Sequence, residues 1–247
     1  MLPADADNHL KRLTAEDWSA HYNPGQADSL AEALRKCSFS CQTQEIIKYA
    51  VPGEKTLEIG SGSGASSLAL AMKGCEVMAL DFAVPCLELA LAVAQRLGCS
   101  IQTIQADAMD PPPFDEDTFD VIFHAGLLEH FTQEERIVLL RNWFPAGKKM
   151  ISMVPNAASL AYRIGKARQE RLGLWRYGLE IPLYSQYSEF RAAGYIDIVE
   201  YTIGESHSLN FLPRWHPMRL ALKWWLQHNE SGDNCGQGYL LVTIGTK

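Results

Sequence analysis

Gly60, Gly62 and Gly64 stand at alternate positions within residues 56–70, TLEIGSGSGASSLAL, between an apolar strand pattern and a helix pattern. A glycine turn that ends a strand and opens a helix brings backbone N–H groups toward a ligand. The spacing is GxGxG, one residue off the GxGxxG of dinucleotide sites. No Lys-Ser or Lys-Thr pair follows, so the turn is not a P-loop. Glu58 lies just before the glycines, where a carboxylate repels a pyrophosphate and suits a cationic, amino-acid-bearing ligand. Asp81 ends the next strand pattern, a place where a carboxylate accepts from ribose hydroxyls. Asp107 ends the third, where it can accept from an adenine amino group. Each feature also has a plainer reading: a tight turn that binds nothing, a helix N-cap at Asp81, a loop cap at Asp107. Three acids at the carboxyl ends of three successive strands converge on one crevice, which favours a shared site.

Together LEIGSGSG, the acid in MALDF, QADA and FDVIFHAGLLEHF resemble the class I S-adenosylmethionine-dependent methyltransferases, in the small-molecule group that includes ubiquinone-biosynthesis-type enzymes. The resemblance covers residues 15–154 and, more weakly, 184–203. It implies an α/β, Rossmann-like fold with a seven-stranded, mostly parallel sheet, helices on both faces and a cap insertion. It implies one domain over residues 1–247, an N-terminal helical lid at 1–50 and the cap at 155–183. It implies S-adenosylmethionine as cofactor, S-adenosylhomocysteine as product, and O- or N-methylation of a small-molecule acceptor. Carried over by position, Gly60, Ser61 and Gly62 line the methionine part and Glu58 helps place its amino group. Asp81 takes the ribose with Phe82 against the adenine, and Asp107 and Ala108 hold the adenine edge. His124 and Ala125 lie under the cofactor where the fourth strand ends. Tyr22, in WSAHY, either closes over the cofactor as an aromatic lid or packs a helix onto the sheet.

Methyl transfer from a sulfonium is an in-line displacement in which the positive charge on sulfur is lost. Alignment and exclusion of water therefore contribute most. A base is needed only when the nucleophile must lose a proton. His130, with Glu129 after the fourth strand pattern, is the base candidate by position and pKa range. In the other reading this pair bonds to backbone and shapes the loop. In ubiquinone-type relatives an acid three residues before this Glu joins the pair around a metal. Gly126 occupies that position here, so no metal is expected. His207 and His216 are further base candidates with no motif behind them. The run DPPPF at 110–114 looks like the DPPY-type motif of adenine-methylating enzymes, but it precedes the fourth strand instead of following it. It reads as a rigid loop, and DNA is disfavoured as acceptor.

The elements that would hold these residues alternate. Strand patterns at 55–60, 75–81, 100–107, 119–126 and 148–154 are separated by helix patterns at 65–73, 84–98 and 132–144. Alternation of this kind predicts right-handed crossovers and a parallel sheet covered on both faces. Helical stretches at 26–37 and 41–50 precede it. Residues 155–183 carry no clear strand, and within them 162–178 bring Arg163, Lys166, Arg168, Arg171 and Arg176 against one acid, Glu170. That basic run reads either as a cap that attracts an anionic acceptor, with Trp175 and Tyr177 as an aromatic wall, or as a solvated helix face. A helix at 185–194, a strand at 195–203, a helix at 217–227 and a strand at 238–246 follow. The 217–227 helix is expected to pack on the cap or at a homodimer contact, more than on a membrane surface.

With 47% hydrophobic residues among 247, the chain can build a large core. Its net charge of −7 argues against a general nucleic-acid surface. The six cysteines form no CxxC pair and are expected to be reduced thiols in a cytoplasmic protein. The polar N-terminus is not read as a signal peptide, and no apolar run reaches the ~18 residues of a membrane span. Two other classes fit less well. A non-catalytic S-adenosylmethionine-binding protein need not retain both the acids and the cap. An NAD-dependent oxidoreductase is opposed by Glu58 and the GxGxG spacing.

Overall fold

The computed structural model describes residues 11–228 and 236–247. Three helices, α1 (Ala15–His21), α2 (Ala27–Arg35) and α3 (Cys41–Ile46), lead into β1 (Lys55–Ile59). The alternating region follows as α4 (Ala65–Lys73), β2 (Glu76–Asp81), α5 (Val84–Leu97), β3 (Gln102–Gln105), β4 (Val121–Ala125), α6 (Gln133–Trp143) and β5 (Lys149–Pro155). Beyond it come α7 (Leu160–Arg171), α8 (Tyr187–Ala193), β6 (Ile196–Ile203), α9 (Glu205–Ser208), α10 (Pro217–His228) and β7 (Leu240–Thr246).

The strands form one seven-stranded sheet in the order β3-β2-β1-β4-β5-β7-β6. The pairs β1–β2, β1–β4, β2–β3 and β4–β5 are parallel, and β7 runs antiparallel to both β5 and β6. The chain winds outward from β1 to β3, then returns to β4 on the other side of β1. Loops leaving β1 and β4 therefore diverge, and a crevice opens beyond their carboxyl ends.

Side chains alternate across each strand, so the two faces bury different sets. On one face Val77, Val121, Phe123, Ile151 and Met153 pack against α2, α4 and α5 through Ala31, Leu68, Leu89 and Val93. On the other, Leu57, Ile59, Leu80, Ile122 and Met150 pack against α6 and α8 through Leu139, Trp143 and Phe190. Gly74 and Gly98, with φ of 95° and 71°, close α4 and α5 in the left-handed region that favours glycine. A capping box between Thr132 and Glu135 opens α6.

The strand-poor region after β5 is largely helical. Ala161 and Ile164 of α7 pack with Leu209, Leu212, Met218, Leu222 and Leu226, so α10 lies on α7. Phe114 of the proline-rich loop packs edge-on to Phe119, ring centroids 5.0 Å apart. Cys37, Cys41, Cys75, Cys86 and Cys99 are free thiols. Cys235 and the first ten residues of the expected lid lie outside the described residues. No helix among the described residues is long and apolar enough to cross a membrane.

Candidate active site

A cavity of about 430 Å³ occupies the crevice at the carboxyl ends of β1, β2 and β4, within the range of small-molecule sites. The glycine turn forms its floor. Gly60, Gly62 and Gly64 have φ of 67°, 51° and 67°. The turn's amides are directed into the protein: Ser61 N donates to Leu80 O at 2.9 Å, Gly64 N to Ser61 O at 2.8 Å, and Gly62 N to Asp81 Oδ2 at 2.8 Å. A turn whose N–H groups are consumed in this way is no anion cradle, which sets it apart from pyrophosphate-binding turns. The buried Ser61 hydroxyl has no partner among the described residues, leaving a polar group free for a ligand.

The acids at this end each have a built environment. Glu58, only 4% exposed, accepts from Ser67 N at 3.1 Å and Ser67 Oγ at 2.6 Å through one oxygen. Burial pushes its carboxyl up to about 7, against the lowering effect of the Ser67 bonds. Asp81 accepts from Ala83 N at 2.9 Å as well as from Gly62, and burial raises its carboxyl despite those bonds. Glu58 and Asp81 thus sit beside the turn as acceptors, which suits a ligand rich in hydroxyl, amino and positive groups. The cavity's residues fit S-adenosylmethionine on these grounds.

Of the residues expected from sequence, Glu58, Gly60, Ser61, Gly62, Asp81 and Phe82 line the cavity together. So do Asp107 and Ala108, Ala125, His130, and Tyr22 from the N-terminal segment. Asp107 is exposed and caps its own loop by accepting from Met109 N at 2.9 Å. Tyr22 lies over the turn: a Cβ at Gly62 would come within 3.0 Å of the Tyr22 ring. Burial is the main reason the Tyr22 phenol is pushed up to about 12.

His124 is a correction. It does not line the cavity and is fully buried, with neither ring nitrogen partnered among the described residues. Successive strand residues face opposite ways. Ala125 reaches the cleft, so the side chain before it turns into the sheet's other face. Burial lowers the His124 ring to about 3, which keeps it neutral.

Beyond the turn, three segments distant in sequence brace one another. The His130 Nδ1–H donates to Leu179 O at 2.5 Å, and Arg12 Nε donates to His130 O at 3.0 Å. Ile181 N donates to Glu129 O at 2.8 Å, and Leu179 N to Lys11 O at 2.7 Å. His21 Nε2 donates to Arg176 O at 2.9 Å. A carbonyl only accepts, so the Leu179 bond places the His130 proton on Nδ1 and leaves Nε2 with its lone pair. Burial lowers this ring below the ordinary histidine value, outweighing the Leu179 bond. The Trp18 ring lies edge-on to His130 at 5.6 Å and stacks parallel to Tyr22 at 6.2 Å.

Sequence reasoning missed Glu180, Tyr239 and Arg12, which also line this end. Nothing local marks them; each arrives from a segment far from the glycine turn. Glu129, 2% exposed, has its Oε2 without a partner among the described residues. Burial, reinforced by the charge of Glu180, holds its carboxyl well above the usual range. Glu180 accepts from the Tyr162 hydroxyl, and burial pushes it up to about 7.

The basic run lies elsewhere. None of Arg163, Lys166, Arg168, Arg171 and Arg176 is among the described residues lining the cavity. The four arginines are exposed, while Lys166 pairs with Glu170 and stacks over Trp175, 4.6 Å from the ring centroid. Tyr177 does reach the cavity; Trp175 does not line it. His207 stacks on Tyr239 at 5.3 Å outside the cavity, and His216 Nδ1 accepts from Met218 N at 3.2 Å. No group of three His, Cys, Asp or Glu able to hold a metal occurs among the described residues.

The sheet order, the glycine turn and the acids at the strand ends define a class I methyltransferase fold. Residues 56–149 match the family model described as "Methyltransferase domain". Over this segment, which is less than half of the chain, the protein is similar to known methyltransferases. It is 36% identical over 106 residues to the demethylmenaquinone methyltransferase of Clavibacter sepedonicus, covering 41% of each chain. It is 31% identical over 106 residues to phosphoethanolamine N-methyltransferase 1 of Arabidopsis thaliana, covering 41% of this chain and 21% of that one. The matches thus span less than half the length of these two relatives. A solved S-adenosylmethionine-dependent methyltransferase from Archaeoglobus fulgidus superposes with a TM-score of 0.61 at 15% identity, over 83% of this chain and 91% of that one.

Proposed function

We propose that the protein transfers the methyl group of S-adenosylmethionine to a small-molecule acceptor, on oxygen or nitrogen, by in-line displacement. The observation that carries this reading is the glycine turn whose amides are spent on Asp81, Leu80 and Ser61, set between two buried carboxylates. Such a floor opposes phosphate and suits a nucleoside with a cationic amino-acid tail. Glu58, with Gly60, Ser61 and Gly62, would hold the amino-acid part. Asp81 would accept from the ribose, with Phe82, Asp107 and Ala108 at the adenine and Ala125 beneath. S-adenosylmethionine, when bound, supplies an electrophilic methyl group on a sulfonium.

The chain's own work is alignment, exclusion of water and, for an acceptor that must lose a proton, base catalysis. His130 Nε2 is the base in this reading, because the Leu179 bond fixes its tautomer and burial keeps it neutral. Residues 11–50 act as the lid, with Tyr22 over the turn, and residues 155–183 as the cap within a single domain. The similarity to a demethylmenaquinone methyltransferase and a phosphoethanolamine N-methyltransferase supports a small-molecule acceptor. Isothermal titration with S-adenosylmethionine and S-adenosylhomocysteine, without added metal, tests the cofactor site. Binding of NAD in their place would overturn the assignment. Turnover over a metabolite panel, read by mass spectrometry, tests the transfer.

A further inference from the structure

The ionisable groups inside the cavity are lopsided. Five carboxyl groups line it, at Glu58, Asp81, Asp107, Glu129 and Glu180, against one guanidinium, that of Arg12. Arg12 is committed elsewhere: its Nη2 pairs with Glu135 Oε2 at 2.6 Å, and it lies over the Phe131 ring at 4.4 Å. Glu58, Asp81 and Asp107 belong to the cofactor end, which leaves Glu129 and Glu180 unassigned.

These two are not ordinary surface acids. Glu129 is 2% exposed, lines the cavity and has Oε2 without a partner among the described residues. A buried acceptor in that state is costly unless a ligand completes it. Glu180 takes one bond, from the Tyr162 hydroxyl. Lys166, the cation whose charge reaches Glu180, is paired with Glu170. Aromatic rings line the cavity with them: Tyr239 is within electrostatic reach of both acids, Tyr177 stands three residues before Glu180, and Trp18 lies edge-on to His130, the neighbour of Glu129. Ring faces attract cations, more so when water is excluded.

We propose that Glu129 and Glu180, walled by these rings, form a recognition subsite for the amino group of a cationic acceptor, so that the methyl group is transferred to nitrogen. This rests on the methyltransferase reading given above. An amine carrying a hydrogen arrives as an ammonium ion whose charge draws the two acids into their ionised form, the protons they held passing to solvent; the ion pairs with them and gives a proton to His130 Nε2. The freed nitrogen lone pair forms the N–C bond as the C–S bond breaks. The bonding pair stays on sulfur, which becomes a neutral thioether. The methylated nitrogen leaves positively charged, and the His130 proton passes to solvent.

The test uses the whole chain and probes of matched skeleton: 2-phenylethylamine, 2-phenylethanol and 3-phenylpropanoate, with propylamine, 1-propanol and propanoate as a smaller set. Affinities are measured by calorimetry with and without S-adenosylhomocysteine, whose own binding is titrated first. Failure of the cofactor reading and failure of the amine subsite are therefore separate results. At least one amine is expected to bind tenfold or more tightly than its alcohol and its acid. Glu129→Gln and Glu180→Gln should each cut that preference about tenfold while leaving S-adenosylhomocysteine affinity within threefold. If neither amine exceeds its alcohol and acid by threefold, or if the preference survives in both variants, the subsite assignment is wrong.

Discussion

Glu58→Gln should make the ligand-free protein more stable at alkaline pH and leave it nearly unchanged in acid. Glu58 is buried at the end of β1, with Ser67 as its hydrogen-bond partner. Burial moves its carboxyl from the ordinary 4.5 to about 7 in the folded protein. Below pH 4.5 it holds a proton in both the folded and unfolded chain. Between 4.5 and 7 the unfolded chain has ionised while the folded one still holds the proton. The folded state then binds more protons, so stability falls as pH rises and the loss is complete above about 7. At ~1.4 kcal/mol for each tenfold change in proton affinity, the loss is about 3 kcal/mol. Glutamine keeps an oxygen for the Ser67 donors and cannot ionise. Its advantage over the parent should therefore grow by about 2–3 kcal/mol between pH 5 and pH 8, or roughly 5–10 °C in Tm for a chain of this size. Urea unfolding of both proteins at the two pH values gives the number directly. Glu129 and Glu180 contribute with the same sign but are present in both proteins, so they cancel in the difference. A Glu58→Gln advantage that does not change with pH would refute the argument that burial, unrelieved by any cation, sets this carboxyl's state.

Asp81→Ala should weaken S-adenosylmethionine and S-adenosylhomocysteine by roughly 1–3 kcal/mol, as expected for a lost hydrogen bond to a charged group; unchanged affinity in a folded variant would remove the ribose role. Gly62→Val places a β-branched residue at φ 51° with its Cβ 3.0 Å from the Tyr22 ring, a conformation costing about 1–2 kcal/mol. Circular dichroism should show the fold intact and calorimetry should show cofactor binding gone; normal binding would make the turn merely structural. His130→Ala should lower kcat by about 10²–10⁴ if the ring is the base, and a loss under threefold would leave alignment alone. Because burial lowers the His130 ring, kcat for the parent should stay flat from pH 8 down to about 6.5 and fall only below that, whereas a decline that starts above pH 7 would point to another base.

Much of this protein is legible in its sequence because the signals are local. The apolar strand patterns, the glycines that close α4 and α5, and the Thr132–Glu135 box each act within a few residues. They place the strand ends, and with them Glu58, Asp81 and the glycine turn. The facing of His124 was also accessible: it precedes Ala125 on one strand, and the two-residue period sends one of them away from the cleft. Other features depend on contacts that no local pattern carries. The basic run gives no sign that α7 turns its arginines outward and commits Lys166 to Glu170. Glu180 and Tyr239 enter the cavity only because the chain after β5 folds back over the sheet and β7 inserts between β5 and β6. The proton on His130 is positioned by Leu179, forty-nine residues away. Sequence thus determined the glycine-turn end of the cavity, where one strand–turn–helix unit builds most of the floor. Tertiary structure decided how Glu129 and His130 meet Glu180 and Tyr239 at the far end of the cavity, because these acids and rings come from separated segments and acquire their shared, poorly solvated environment only when those segments pack together.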